Sequence, residues 1–327
     1  MSDVAHTYDT NWLGQPALAL ETASLRFVTV PGMGAKIVSL FNKRTGREWL
    51  LPPVQRDFKP VAYGAPFVEQ DMSGWDEMFP TIAPCKYPIA GRYKGAALPD
   101  HGEVWALPWQ LDTVANDRIC LSTAGQVLPY RLTRTVQVLG DQKMRISFEA
   151  VNIGSEPLAA LWAAHPQFAA DEATGIRLPE SVECVVNVHL TSDWTLNHIY
   201  PWPEAQAENG HRVRLDRIGT ADRRNCRKFY LPADQPVNWA ALQQGTDGDW
   251  IRLSWDSGLV PYLGIWVDEG MYNAASTAAL EPTTGFYDNL DFAWQNNRIM
   301  HMLPNEPVRW YVDIAVGSGM MGHAEME

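Results

Sequence analysis

Val308-Arg309-Trp310-Tyr311-Val312-Asp313-Ile314-Ala315-Val316 decides the fold class. In an extended chain Val308, Trp310, Val312, Ile314 and Val316 point one way, and Arg309, Tyr311 and Asp313 point the other. A period of two is the signature of a strand with one face in a core. Arg145 to Val151 repeats it, with Ile146 and Phe148 opposed to Ser147 and Glu149. Working outward, further strands are predicted over Leu25 to Val30, Ala35 to Phe41, Tyr130 to Leu139, Leu158 to His165, Val182 to Leu190 and Trp250 to Trp255. Turn chemistry separates them at Pro31-Gly32, Asn152-Ile153-Gly154-Ser155 and Asp247-Gly248. No long segment carries a helical period, and 24 Gly and 23 Pro punctuate the chain, so the pattern predicts an all-β sandwich or closed sheet with few short helices. No linker divides residues 1–327, which are read as one domain. Asp57 to Pro99 is rich in Gly, Pro and aromatics and is expected to be an ordered loop layer over a sheet face.

Composition narrows the partners. With 38 acidic against 26 basic residues the formal charge is −12, which disfavours nucleic acid or an anionic membrane as a partner. The run Arg223, Arg224, Arg227 and Lys228 reads as solvated loop charge, of which only Lys228 is kept as a site candidate. Cys85, Cys120, Cys184 and Cys226 form no C-x-x-C pattern and read as reduced thiols. Met1 to Gln15 has no basic stretch followed by an apolar one, so a cytoplasmic protein is the default expectation. A homodimer is left open.

Two titratable side chains stand where strands meet turns. Glu281 lies in Leu280-Glu281-Pro282-Thr283-Thr284-Gly285, and His165 lies between an apolar run and Pro166. Such positions carry ligand-facing groups as well as ordinary turn residues. Together they offer an acid/base pair for proton transfer. His101, in Asp100-His101-Gly102-Glu103, is flanked by two carboxylates able to orient an imidazole, although a locally bonded loop histidine has the same appearance. A metal set of His101, Glu103 and His165 rests on a lone H-x-E spacing, and no metal is expected. A nucleophile elbow and a phosphate-binding Gly-rich loop are both missing from the sequence. The 14 Trp exceed what packing a sandwich requires, and Trp75, Trp105, Trp162 and Trp266 fall near the candidate segments. Their flat faces suit pyranose rings.

Taken in order, these segments resemble the aldose 1-epimerase family of the galactose mutarotase-like superfamily over nearly the whole chain. The resemblance is carried by Pro31-Gly32-Met33-Gly34-Ala35-Lys36-Ile37, Asp100-His101-Gly102, Ala164-His165-Pro166-Gln167-Phe168, Pro261-Tyr262-Leu263-Gly264-Ile265-Trp266 and Leu280-Glu281-Pro282. It implies a large antiparallel β-sandwich that binds a sugar on a concave sheet face without a cofactor. It also implies that Glu281 acts as general base and His165 as general acid on opposite sides of the sugar, with His101 orienting it. Opening a hemiacetal requires taking the anomeric proton while protonating the ring oxygen, so Glu281 is expected ionised and His165 protonated. The family's early arginine is absent from Gly74-Trp75-Asp76-Glu77-Met78-Phe79-Pro80, and its later aspartate falls near Cys226. Asp76 or Glu77 is expected to accept hydrogen bonds from sugar hydroxyls, Lys228 to donate one, and Trp266 to line the sugar site. The expected substrate is a free neutral aldose. The rival readings are a noncatalytic sugar-binding or sensing protein on the same fold, and a glycosidase, which normally needs a second catalytic carboxylate.

Overall fold

A computed structural model of the chain describes residues 5–53 and 59–322. Met1 to Val4 of the N-terminal stretch, and Asp57 and Phe58 at the start of the expected loop layer, lie outside the described residues. Among the described residues the protein is nearly all β: a 13-stranded and an 8-stranded sheet, three two-stranded ribbons, and one short α-helix, Leu290–Gln295. All strand pairs are antiparallel. No described helix is long and apolar enough to cross a membrane, a statement that leaves strands aside.

The strand that decided the fold class, Pro307–Ser318, lies in the smaller sheet between Lys143–Asn152 and Asp249–Trp255. Its Trp310, Val312, Ile314 and Val316 are buried in the main core with Ile146 and Phe148 of the neighbouring strand. The same core contains Ile37 and Leu40 of Lys36–Asn42 and Leu263, Ile265 and Val267 of Tyr262–Glu269, which belong to the larger sheet. The two sheets therefore pack face to face as a sandwich. Trp162 bridges them, its ring 4.7 Å from Phe148 and 5.5 Å from Trp310.

Two expectations change. Leu158 to His165 is not one strand: Leu158–Ala160 pairs with Met300–Met302 in a ribbon, and Ala163–Pro166 enters the larger sheet. Between them Leu161 and Trp162 turn their amides to Pro80 O and Thr284 Oγ1. The segment expected as a loop layer contributes Trp75–Met78 to the centre of the larger sheet, between Lys36–Asn42 and Ala163–Pro166. Adjacent charges disguised this strand. Asp76 and Glu77 are both buried, and each meets a cation on its own face. Asp76 Oδ2 accepts from Lys36 Nζ at 2.6 Å, and Glu77 Oε1 accepts from Arg134 Nη1 at 3.3 Å.

Glu77 is thus an inter-sheet residue. Its other oxygen accepts from Trp162 Nε1 at 3.0 Å, while Arg134, rising from the smaller sheet, also donates to Ala35 O and Thr29 Oγ1. Burial pushes the Glu77 carboxyl up to about 7, against the opposing pull of Arg134. Removing one partner of such a pair strands the other. Arg134→Met should lower the unfolding free energy by about 3 kcal/mol at pH 8. The penalty should shrink at pH 5.5, where Glu77 is neutral, and urea titrations at both pH values measure the difference.

Candidate functional site

Five neighbouring strands of the larger sheet, in the order Trp75–Met78, Ala163–Pro166, Thr277–Thr283, Tyr262–Glu269 and Asn225–Tyr230, form the floor of the site. Alternation divides their side chains. On Tyr262–Glu269, Leu263, Ile265 and Val267 enter the core, while Gly264, Trp266 and Asp268 face away from it. Register places Glu281 opposite Gly264 and Gly264 opposite Tyr230, and the next row sets Lys228 opposite Trp266. Gly264 is required by close approach: a Cβ there would lie 3.1 Å from the Tyr230 ring and 3.2 Å from Glu281 Oε2. Its missing side chain lets groups from the flanking strands meet over it.

The resulting cavity holds about 220 Å³ and is lined by Glu281, His165, His101, Lys228 and Trp266 together with Phe67, Gln167, His189, Asp268 and Asp288. A larger hollow of about 410 Å³ lies beside it, behind Met72 and Tyr272, and contains none of these titratable groups. Glu281 is fully buried, and its Oε1 stands 3.8 Å from His165 Nε2. Lys228 Nζ lies 2.8 Å from Glu281 Oε2 and 3.0 Å from Asp288 Oδ1. The ammonium pairs with Glu281 Oε2, and Oε1, the oxygen nearer His165, has no protein donor. Tyr230 OH donates to Asp288 Oδ1 at 2.7 Å.

Local bonding sets each ring. Asp100 Oδ1 holds His101 Nδ1 at 2.9 Å, and Phe67 stacks on His101 with centroids 4.0 Å apart and meets His165 edge-on at 4.9 Å. Gly102 permits the turn because Phe79 backbone atoms stand as near as 2.3 Å to where its Cβ would be. Glu103, the other flanking carboxylate, instead accepts from Tyr63 OH, Gln126 N and Val127 N. His101, Glu103 and His165 therefore do not converge as a metal set. Gln167 Nε2 lies 3.1 Å from His165 Nε2, and His165 Nδ1 is buried without a partner.

Burial, reinforced by the charges of His101, Lys228 and Lys36, holds the His165 imidazolium well below the usual histidine value. Burial thus disfavours the protonated His165 expected from the sequence. Burial also raises Glu281, opposed by Lys228 and assisted by Asp288. Lys228 is held above its ordinary value despite burial, because Asp288 and Glu281 flank it.

Of the sequence candidates, the structure brings Glu281, His165, His101, Lys228 and Trp266 together. Asp76 sits beside His165 in register but is turned to Lys36 and does not line the cavity, while Glu77 faces the opposite way. These placements remove both acids from the expected sugar-binding set. Trp75, Trp105 and Trp162 are buried as packing residues. Arg227, read as solvated, is buried against Glu269 at 2.9 Å. Phe67, Gln167, His189, Asp268 and Asp288 were missed. Only Gln167 carried a signal, being two residues after His165.

No protein-family model matches the chain, and no curated protein matches it. Solved structures do. A galactose mutarotase related enzyme from Lactobacillus acidophilus is 14% identical with a TM-score of 0.67, covering 93% of this chain and 98% of its own. The fold is galactose mutarotase-like. A galactose mutarotase-like protein from Clostridium acetobutylicum, at 14% identity and a TM-score of 0.67, covers 97% of this chain and all of its own. Another from Lactobacillus casei, at 14% identity and a TM-score of 0.66, covers 92% of this chain. The galactose mutarotase-like fold thus accounts for both sheets and for the floor on which the titratable groups stand.

A histidine with a depressed value in the folded state leaves its stability intact above the unfolded value near 6.5 and loses it as pH falls below that. Relative to His165→Gln, the wild type should therefore lose roughly 1–2 kcal/mol of stability between pH 7 and pH 5. Paired denaturant titrations read the change, and an unchanged difference would mean that His165 titrates normally.

Proposed function

We propose that this cavity binds a free, neutral aldose and interconverts its α and β anomers by opening and reclosing the ring. The observation that carries the proposal is the 3.8 Å approach of Glu281 Oε1 to His165 Nε2 on the floor of one cavity. The two groups are adjacent on the cavity floor. Adjacency suits the reaction, because the anomeric oxygen and the ring oxygen are both bonded to C1 and present themselves side by side.

In the reactive form the proton shared by the pair is on His165 and Glu281 is ionised. Glu281 then takes the proton of the anomeric hydroxyl as the C1–ring-oxygen bond breaks, and His165 gives its proton to the departing ring oxygen. C1 becomes a carbonyl. After rotation about C1–C2 the ring hydroxyl adds to the other face, returning its proton to His165 while Glu281 reprotonates the carbonyl oxygen. Across the opening step one proton moves, through the sugar, from His165 to Glu281. Burial raises the proton affinity of Glu281 and lowers that of His165, and both shifts favour the neutral pair, which serves the open chain, over the charged pair that serves the ring.

The lining supports a neutral substrate. Asp100, Asp268, Glu281 and Asp288 line the cavity against one cationic side chain of fixed charge, Lys228, already shared between two of them. A carboxylate or phosphate on the sugar would find no free guanidinium fork there. Trp266 offers an indole face, and the likeness in fold to a galactose mutarotase related enzyme agrees with the reading.

Polarimetry on freshly dissolved anomers of neutral and acidic aldoses tests it. Glu281→Gln and His165→Asn should each lower the acceleration of anomer exchange by roughly 10²- to 10⁴-fold while far-ultraviolet circular dichroism stays unchanged. Wild-type rates in both variants would remove this mechanism. Saturable sugar binding with no acceleration in the wild type would instead make the protein a sugar binder.

A further inference from the structure

The cluster of Lys228, Asp288 and Tyr230 lies under Glu281 and has no assigned role in ring opening. We infer that Lys228 and Asp288, braced by Tyr230, act as positioning residues that hold Glu281 with Oε1 toward His165 and set how readily it binds a proton. The inference rests on the reading of Glu281 as the base.

Geometry carries it. Lys228 is buried, and its ammonium lies between two carboxylates at 2.8 and 3.0 Å, so it is a shared countercharge and not a free hydroxyl donor. Tyr230, also buried, donates to the same Asp288 oxygen that Lys228 approaches. Tyr230 and Glu281 meet over Gly264, where a side chain would press on both. Because Lys228 engages Oε2, Oε1 is the oxygen left facing His165.

The electrostatic surroundings of Glu281 are few and named. Lys228 faces it from Asn225–Tyr230, His165 from Ala163–Pro166, His101 from the turn after Pro99, and Asp288 from the turn before the helix. Tyr262–Glu269 presents Gly264 and no charge at this row. Lys36 and Asp76 stand beyond His165 and pair with each other. Lys228 thus favours the Glu281 carboxylate, and Asp288 opposes it both by its own charge and by competing for Lys228.

Opposite signs follow for the two substitutions. In the pH profile of kcat/KM for anomer exchange, Lys228→Met should move the acidic limb up by at least one pH unit and cut the rate at pH 7 by tenfold or more. Asp288→Asn should move the same limb down. Infrared difference titration of the carboxylic-acid band, assigned by its loss in Glu281→Gln, should show the same two shifts without any sugar. Ethylammonium added to Lys228→Ala should restore part of the rate, which separates lost charge from lost packing. Limbs and bands that stay in place in both variants, or move in the same direction, would overturn the inference. If the wild type shows no anomer exchange but the infrared shifts appear with opposite signs, the placement of charge stands and the proposed reaction falls.

Discussion

The two-residue period of the central strands is the constraint from which the site descends. On Tyr262–Glu269 each residue given to the core, Leu263, Ile265 or Val267, obliges the next to face away from it. Register then aligns those outward positions across neighbouring strands, so that Glu281, Gly264 and Tyr230 share one row and Lys228 and Trp266 the next. A slip of one residue by Thr277–Thr283 would send Glu281 into the inter-sheet core and bring Leu280 to the cavity. The packing that stabilises the sandwich and the placement of its titratable groups are one specification.

That economy has a cost, since charges on central strands lose their hydration. The protein meets it with cations of matched placement. Lys36 answers Asp76 on the cavity side, Arg134 answers Glu77 between the sheets, Arg227 answers Glu269, and Lys228 lies between Glu281 and Asp288. The distribution is not uniform. Asp76, Glu77 and Glu269 are each paired away from the cavity, whereas Glu281 lines it, with Oε2 on Lys228 and Oε1 without a donor. Asp76 Oδ1 and Glu269 Oε2 also lack a hydrogen-bond partner, so what distinguishes Glu281 is that its open oxygen belongs to a group lining the cavity, where a hydroxyl can reach it.

The contrast explains which parts of the molecule were legible in the sequence. Pro307–Ser318 and Lys143–Asn152 were readable because one face of each strand is apolar and the other largely polar. Trp75–Met78 was not, because a central strand buried on both faces ordinarily reads as continuous apolar residues, and here two positions are acids whose cations, Lys36 and Arg134, come from strands distant in sequence. Leu158 to His165 failed for the opposite reason: its apolar run is continuous, but it serves two different sheets in succession. Glu281 and His165 were found because a following proline suggested a strand end, although in the structure both prolines still belong to the strands Thr277–Thr283 and Ala163–Pro166. Phe67, His189, Asp268 and Asp288 reach the cavity from turns or from an outward strand position, and no local pattern separates them from ordinary polar or aromatic residues.

The state of His165 depended on neighbours that sequence order does not reveal. Chain position suggested an imidazolium drawn to a carboxylate, and the carboxylate is indeed near. What reverses the outcome is that burial comes first, and that Lys228 and Lys36 approach from two other strands while His101 approaches from a turn. The carboxylate that would have favoured the imidazolium spends part of its charge on Lys228 at 2.8 Å. Charge at this site is therefore a property of the whole row of strands: burial moves Glu281 and His165 in opposite directions, and both moves favour the proton on Glu281.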